Sequence, residues 1–224
     1  MMMQPYYQDK YVQIFLGDCR EILPELSGGG IDLMLTDPPY GINKGYSSWD
    51  TEFILPPDIV ANALGLMCGV WNILKCPATL SGMTYRWQLI AHLVNGMTNG
   101  AIGFGNYIPC LVYVKDGLSL HRKESDCKDF VVGLEDKPNH PSPKPERPIA
   151  WFIERLSSPG QMILDPFLGS GTTAYCAKKL QRRCIGIEIE EKYCEIAARR
   201  CQQEVMELNI IETVEQQNPL GLEI

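Results

Sequence analysis

The chain has 224 residues, of which 45% are hydrophobic and 21% charged, as in a globular protein with one domain-sized core. No apolar run reaches the roughly 18 to 20 residues of a membrane-spanning helix, and the N-terminus has no apolar signal core. We therefore expect neither an integral membrane protein nor a secreted one. The net charge of −7 excludes a bulk basic surface for nucleic acid, so a local patch has to hold any polyanion.

The cysteine and histidine content argues against a metal site. The nine cysteines include no CxxC pair, and there are only three histidines, so no zinc-binding spacing is present. We expect the cysteines to be reduced thiols that act mostly as small apolar residues.

Elements of the first half of the chain follow from hydrophobic spacing. A strand is predicted over Tyr11–Leu16, a short helix over Cys19–Leu26 and a buried parallel strand over Ile31–Leu35. Helical spacing of apolar residues predicts a helix over Asp58–Leu74. The remaining elements of this half are predicted as a strand at 78–81, a helix at 85–95, and strands at 101–104 and 110–114.

The second half begins with a polar, proline-rich stretch at 117–148 that we expect to be irregular. Beyond it, helices are predicted at 149–156, 173–180 and 190–208, with strands at 162–164 and 184–187. Alternating strands and helices predict an α/β fold with a largely parallel sheet.

A glycine-rich turn follows the predicted strand at 162–164, in the run DPFLGSGTT of residues 165–173. Glycines let a ligand approach the backbone, and the helix that follows offers free N–H groups at its first turn. Glu188 ends the next strand, about twenty residues later, where an acid can bind both hydroxyls of a ribose. Neither GxGxxG nor GK[ST] is present, so the pattern favours a nucleoside without a demanding phosphate group. The alternative is a plain tight turn with a surface glutamate.

The run DPPY at 37–40 combines a carboxylate, a proline carbonyl and an aromatic ring on a stiff loop after a buried strand. The carboxylate of Asp37 and the carbonyl of Pro38 can accept the two N–H bonds of an exocyclic amino group, and Tyr40 can stack on its ring. A strand-ending turn with a half-buried tyrosine is the alternative.

These runs together resemble the amino-methyltransferases that use S-adenosylmethionine to methylate exocyclic nitrogens of DNA bases. DPPY matches the catalytic motif of that family, DPFLGSGTT its cofactor motif, and GIE, which ends at Glu188, the motif after it. HPSPKP at 140–145 is similar to the family's HPxxKP, and Gly17-Asp18 to a further motif. The catalytic motif precedes the cofactor motif, as in the circularly permuted β group.

The resemblance implies a Rossmann-like methyltransferase fold, with a mixed seven-stranded sheet, helices on both faces and a circular permutation. It implies one domain over residues 1–224, in which strand 11–16 takes the place after helix 190–208. Residues implied to hold the cofactor are Asp18, Asp37, Lys144, Asp165, Phe167, Gly169, Ser170, Gly171, Thr172 and Glu188. S-adenosylmethionine would leave as S-adenosylhomocysteine.

The resemblance also assigns the catalytic loop. Asp37 and the carbonyl of Pro38, with Pro39 beside it, would hold the target amino group, and Tyr40 would stack on the base. Because duplex DNA hides this group, base flipping is expected. Within this family, a serine in the first position of the catalytic motif is more typical of enzymes that methylate N4 of cytosine. The DPPY form favours methylation of N6 of adenine.

DNA contacts are expected from two regions. A target-recognition segment at about 116–139 is short for the family, and its candidate phosphate contacts are Arg122 and Lys123. Lys44, Tyr46 and Trp49 could touch the flipped base or its strand. An ordinary solvated loop is the alternative for the segment.

Several functional readings stay open. They are an N4-cytosine DNA methyltransferase, an RNA methyltransferase, a catalytically idle cofactor- or DNA-binding module, and a small nucleoside-binding protein. A homodimer and a separate specificity partner are both open, as are defence, regulation and phage self-marking as roles. The expected location is the cytoplasm of a bacterial or phage-infected cell, with DNA and not a membrane as partner.

Overall fold

The structure is a computed structural model that describes residues 4–26, 30–39, 41, 60–96, 98–99, 104–118, 120, 124–133 and 144–202. Its strands are β1 (Tyr7–Gln8), β2 (Val12–Leu16), β3 (Ile31–Thr36), β4 (Ala61–Leu66), β5 (Thr79–Leu80), β6 (Met83–Leu93), β7 (Thr98–Asn99), β8 (Phe104–Gly105), β9 (Tyr107–Lys115), β10 (Cys127–Phe130), β11 (Met162–Asp165) and β12 (Arg183–Glu188). Its α-helices are α1 (Cys19–Ile22), α2 (Gly69–Asn72), α3 (Glu146–Leu156), α4 (Thr172–Lys179) and α5 (residues 191–202).

Seven strands form the body of one sheet, in the order β2-β12-β11-β3-β4-β9-β6. Strand β9 is antiparallel to both of its neighbours, and the other adjacent pairs are parallel. Strands β1, β5 and β10 extend this sheet, while β7 and β8 form a separate two-stranded sheet. The mixed seven-stranded sheet expected from the sequence is confirmed, with these three short strands added to it.

Strand β2 occupies the place that the circular permutation predicts. It pairs in parallel with β12, with Cys184 opposite Val12 and Glu188 opposite Leu16. Strand β12 precedes α5 in the chain, so β2 lies where the strand after α5 would lie in the unpermuted order.

Helices cover both faces of the sheet, and the side chains of β9 show how the two cores are divided. Cys110 and Val112 point into a core formed with α3, α4 and α5, and the intervening Leu111 and Tyr113 point into the core on the α1 side. Alternation of this kind is the two-residue period of a strand that is buried on both faces.

The helix predicted over Asp58–Leu74 is wrong within its described part. Residues Ala61–Leu66 form β4, a central strand, and only the short helix α2 follows. A Cβ on Gly65 would lie 2.8 Å from Leu35 Cδ1 and 2.9 Å from Leu156 Cδ1, so the glycine lets β4 fit between its neighbours. A short apolar run that is buried on both faces has no period that separates strand from helix.

The helix predicted over Tyr85–Asn95 is also wrong, because Met83–Leu93 form the eleven-residue strand β6. This strand pairs with β9 on one side and β10 on the other, and a register shift lies between Tyr85 and Trp87. Its length favoured a helix, and the shift disturbs the alternation that would have indicated a strand.

The stretch 117–148 is not irregular throughout. It contains β10, and α3 begins at Glu146, three residues before the predicted helix start. Of the strand predicted over 101–104, only residue 104 is described, and it belongs to β8.

Seven of the nine cysteines are buried and all nine are free thiols, as expected for small apolar residues. Within the described residues, no helix is long and apolar enough to cross a membrane. In that same part of the chain, no three His, Cys, Asp or Glu side chains are grouped so that they could hold a metal ion.

Candidate active site

The carboxyl ends of four neighbouring parallel strands meet at one edge of the sheet. Strand β2 leads into Gly17 and Asp18, β12 ends at Glu188, β11 ends at Asp165, and Asp37 follows β3. The Gly17 N–H donates to the Glu188 carbonyl at 2.9 Å, which ties two of these ends together. Open α/β sheets bind ligands beyond the carboxyl ends of their strands, so the fold brings four separate sequence motifs to one candidate site.

Asp37 forms an ion pair with Lys144, which lies 107 residues away in the chain. Both side chains are largely buried, with 22% of Asp37 and 17% of Lys144 exposed. Pro38, the next residue of the loop, is buried as well. Lys144 lies two residues before α3, so this ion pair joins the catalytic loop to the start of that helix.

Asp165 connects the catalytic loop to the glycine-rich turn. Its carboxylate oxygen Oδ1 accepts hydrogen bonds from Thr36 Oγ1 at 3.0 Å and from the Phe167 N–H at 3.1 Å. Burial, with a smaller contribution from the nearby charge of Asp37, raises the pKa of Asp165 to about 6. Hydrogen bonds from Thr173, Phe167 and Thr36 act in the opposite direction. Asp165 therefore holds β3 and β11 in register at the edge where the site lies.

The substitution Asp165→Asn is expected to flatten the pH dependence of stability in mild acid. The pKa of about 6 lies above the ordinary 3.8, so the folded protein binds this proton more tightly than the unfolded chain does. The stabilising contribution of the protonated carboxyl is thus fully present below about pH 4 and is lost as the pH rises to about 6. The loss amounts to about 3 kcal/mol, at about 1.4 kcal/mol for each pKa unit.

Urea unfolding of the wild type and of Asp165→Asn between pH 4 and pH 7 measures this difference. The exposed Asp116→Asn serves as the control and should follow the wild-type curve. Parallel curves for wild type and Asp165→Asn would show that burial does not perturb this carboxyl.

The glycine-rich turn is shaped by two glycines with left-handed backbone angles. Gly169 has φ of 55° and Gly171 has φ of 81°. A Cβ on Gly171 would lie 2.6 Å from the Cβ of Ala197 on α5, so only glycine lets α5 pack directly against the start of α4. Ser170 and Thr172 are buried in the same turn, and the first residues of α4 carry N–H groups with no partner inside the helix.

Glu188 closes the turn from the neighbouring strand. Its Oε2 accepts the Gly169 N–H at 2.8 Å and its Oε1 accepts the Glu190 N–H at 2.8 Å. The residue is 8% exposed, and burial raises the pKa of its carboxyl. Each carboxylate oxygen has a second acceptor position, so a diol can bind without displacing these two bonds.

Asp18 caps the N-terminus of α1 at the end of β2. Its Oδ1 accepts the Arg20 N–H at 2.9 Å, and its carboxylate forms an ion pair with the Arg20 side chain, which holds its pKa below the ordinary value. Because the preceding Gly17 bonds to Glu188, Asp18 lies at the same edge as the other acids.

Three further residues tie this edge together and were not singled out from the sequence. Thr36 bonds to Asp165, and Arg200 of α5 donates to Glu146 Oε1 at 2.7 Å. Thr36 could have been noticed as the polar residue that ends a buried strand just before Asp37. Glu146 and Arg200 are 54 residues apart, and no local pattern indicates their contact.

Six of the candidate residues lie outside the described part of the chain. They are Tyr40 of the catalytic loop and the candidate DNA contacts Lys44, Tyr46, Trp49, Arg122 and Lys123.

Comparison with known proteins agrees with this arrangement. A family model described as DNA methylase, for N6 and N4 methyltransferases, matches residues 112–199, a range that contains Lys144, the glycine-rich turn and Glu188. Type II methyltransferase M.ScaI of Streptomyces caespitosus is 26% identical over 264 aligned positions, which cover 92% of this chain and 86% of that protein.

Two solved structures show the same fold. The M1.HpyAVI–SAM complex superposes with a TM-score of 0.64 at 24% identity, covering 84% of this chain and 99% of that one. The PvuII DNA methyltransferase, described as cytosine-N4-specific, superposes with a TM-score of 0.68 at 17% identity, covering 88% of each chain. The ordered motifs and the sequence matches support an S-adenosylmethionine-dependent DNA amino-methyltransferase. The solved structures show the same Rossmann-like fold.

Proposed function

We propose that the protein transfers a methyl group from S-adenosylmethionine to the N6 amino group of adenine in DNA. One observation carries the proposal: Asp37 follows the carboxyl end of β3, next to the end of β11 with its glycine-rich turn, and the end of β12 with Glu188 lies one strand further along the same edge. An acceptor for an amino group and an acceptor for a ribose diol thus share one edge of the sheet.

The side chains at this edge suit S-adenosylmethionine. Glu188 is a buried carboxylate with acceptor positions left for the ribose hydroxyls. The turn from Phe167 to Thr172 combines two left-handed glycines with a helix start, so a ligand can approach the backbone N–H groups of the first helical turn. When bound, S-adenosylmethionine supplies a methyl group on a positively charged sulfur.

The catalytic loop orients the target nitrogen. Its lone pair is delocalised into the base, which makes it a weak nucleophile. Asp37 Oδ and the Pro38 carbonyl would accept its two N–H bonds and favour a more tetrahedral nitrogen with an exposed lone pair. Tyr40 would stack on the flipped base. The nitrogen would take the methyl group by direct in-line displacement, in which the S–CH3 bond breaks and its electron pair stays on the sulfur of the leaving S-adenosylhomocysteine. The nitrogen then loses one proton, which the Asp37 carboxylate can accept, and no covalent enzyme intermediate is needed.

Adenine is favoured by the first residue of the catalytic motif. The DPPY run leans towards adenine N6 in the family that this chain resembles. The fold does not decide the base, because the PvuII enzyme with the same fold is described as cytosine-N4-specific.

Mass spectrometry of the product decides between the two bases. The purified protein is incubated with S-adenosylmethionine and unmethylated genomic DNA, and the DNA is digested to nucleosides. We expect N6-methyl-2′-deoxyadenosine and no N4-methyl-2′-deoxycytidine. The reverse result would keep the site and overturn the choice of base, and methylation of RNA alone would overturn the choice of DNA.

We propose DNA contacts from residues that follow the catalytic loop closely in the sequence. Lys44 follows Gly41 by three residues, and Tyr46 and Trp49 come shortly after it. Arg122, in contrast, is followed two residues later by Glu124, whose carboxylate contacts Arg155 near the far end of α3. Helix α3 is about 15 Å long, and its other end is the one beside Lys144 and Asp37.

The substitution Lys44→Ala is expected to weaken DNA binding and to reduce the salt dependence of its affinity by about one phosphate contact. Lys75→Ala, on the segment after β4, is the matched control and should leave both unchanged. Titration of a fluorescent duplex at several salt concentrations measures the slope. If Arg122→Ala with Lys123→Ala reduces the slope and Lys44→Ala does not, the basic patch of the 116–139 segment holds the DNA instead.

A single domain with a short recognition segment is the arrangement that we propose for residues 1–224. The alignment with M.ScaI extends over 264 positions, more than the 224 residues of this chain, so M.ScaI contains segments that this chain lacks. A short segment suits a short target sequence, a homodimer or a separate specificity partner. Since the substrate is DNA, we place the enzyme in the bacterial cytoplasm.

A further inference from the structure

We propose that Arg200, on α5, is a positioning residue that fixes the position of Lys144 in its ion pair with Asp37. The inference deepens the proposed function, since it concerns how the catalytic loop is held. It stands on a continuous set of contacts from α5, through the starts of α3 and α4, to Lys144.

The guanidinium of Arg200 binds two helix starts at once. Its Nη1 donates to Thr172 Oγ1 of α4 at 2.9 Å, and its Nη2 donates to Glu146 Oε1 of α3 at 2.7 Å. Thr172 and Glu146 are the first residues of their helices. The planar fork of an arginine suits this double contact, which a lysine cannot make with the same geometry.

The hydroxyl of Thr172 links Arg200 to the backbone of Lys144. Its hydroxyl donates to the Lys144 carbonyl at 3.2 Å while it accepts from Arg200. The Lys144 side chain then reaches Asp37. Arg200 therefore binds Glu146 directly. It also holds the backbone of Lys144 indirectly, through Thr172.

The environment of Arg200 supports a fixed position. Its side chain is 11% exposed, and its guanidinium lies 5.0 Å from the centre of the Tyr175 ring. Ala197, three residues earlier on the same face of α5, is the residue that packs against Gly171 at the start of α4. The glycine therefore brings α5 close enough for Arg200 to reach Thr172.

The cost of losing this contact should appear in catalysis more than in cofactor binding. Displacement of a catalytic group by about 1 Å costs about a hundredfold in rate. For Arg200→Gln we expect kcat to fall by about ten- to a hundredfold. We expect the dissociation constant of S-adenosylhomocysteine to change by a smaller factor than kcat, because the bonds of Glu188 to Gly169 and Glu190 do not involve Arg200.

A double-mutant cycle with Lys144→Met separates positioning from packing. If Arg200 acts through Lys144, Arg200→Gln adds little to the kcat loss of Lys144→Met. Arg200→Lys keeps the charge with fewer donors and should give an intermediate kcat. Arg199→Gln is the matched control. Arg199 is the exposed neighbour of Arg200, and it forms an ion pair with Glu195 on the same helix α5.

A readout without cofactor or DNA completes the test. Lysine side chains are labelled with 13C-methyl groups, and the Lys144 NMR signal is assigned from its loss in Lys144→Met. We expect this signal to shift in Arg200→Gln and to stay in place in Arg199→Gln. Additive kcat losses in the cycle, or an unmoved Lys144 signal, would overturn the inference. If Arg200→Gln does not fold, the same two readouts are taken from Arg200→Lys. An inactive wild type would contradict the proposed function instead, and the NMR result would still decide this inference.

Discussion

Replacing Asp37 by alanine is expected to abolish methyl transfer while the cofactor still binds. The Asp37 carboxylate is the acceptor at the end of β3 that would hold the target amino group, and Lys144 holds it in place. Removal of one preorganised polar group from an active site costs about a hundred- to a thousandfold in rate, and here the group also orients the nucleophile. We therefore expect kcat to fall by at least about a thousandfold.

Single-turnover methylation and calorimetric titration with S-adenosylhomocysteine measure these two effects separately. The exposed Glu154→Ala on α3 is the control and should keep wild-type activity. Loss of cofactor binding in Asp37→Ala, at unchanged stability, would assign Asp37 to the cofactor and not to the base.

Replacing Glu188 by glutamine is expected to have the opposite effect, a loss of cofactor affinity. The carboxylate accepts N–H bonds from Gly169 and Glu190, and its remaining acceptor positions would take the two ribose hydroxyls. An amide keeps one acceptor oxygen, but its NH2 group faces the Glu190 N–H as donor against donor. Hydrogen bonds to charged groups contribute about 1.5–3 kcal/mol each, so affinity should fall by about a hundredfold or more.

Calorimetry with S-adenosylhomocysteine tests the Glu188→Gln variant. Glu191→Gln, an exposed neighbour at the start of α5, is the matched control and should bind as the wild type does. At saturating S-adenosylmethionine, kcat of Glu188→Gln should approach that of the wild type. Unchanged affinity with a low kcat would remove Glu188 from the cofactor site.

The edge of the sheet that holds the site could be predicted from the sequence, and the far part of the sheet could not. Strand β3 is an apolar run that is followed by Asp37 and two prolines, and strand β12 is an apolar run that ends at Glu188 shortly before α5. Strand β6 has eleven residues and a register shift, and β4 is apolar on both faces, so both were predicted as helices. Pairing with neighbours that are distant in sequence decided these two elements.

The site itself was predictable as far as its residues lie within contiguous motifs. The acids at the strand ends are visible in the sequence because each belongs to a short run with its own chemistry. The contact of Arg200 with Glu146, and the ion pair of Lys144 with Asp37, join residues 54 and 107 positions apart. Both contacts arise from tertiary packing, and the close packing of α5 against the start of α4 brings Arg200 towards Glu146.

The most direct test of methyl transfer by this chain uses S-adenosylmethionine with a trideuterated methyl group. The purified protein is incubated with this compound and unmethylated duplex DNA, beside the Asp37→Ala variant. We expect trideuteromethyl groups on the exocyclic nitrogen of adenine with the wild type and none with the variant. An active Asp37→Ala variant would contradict the proposed catalytic loop. A wild type that neither binds S-adenosylmethionine nor labels DNA would contradict the account as a whole.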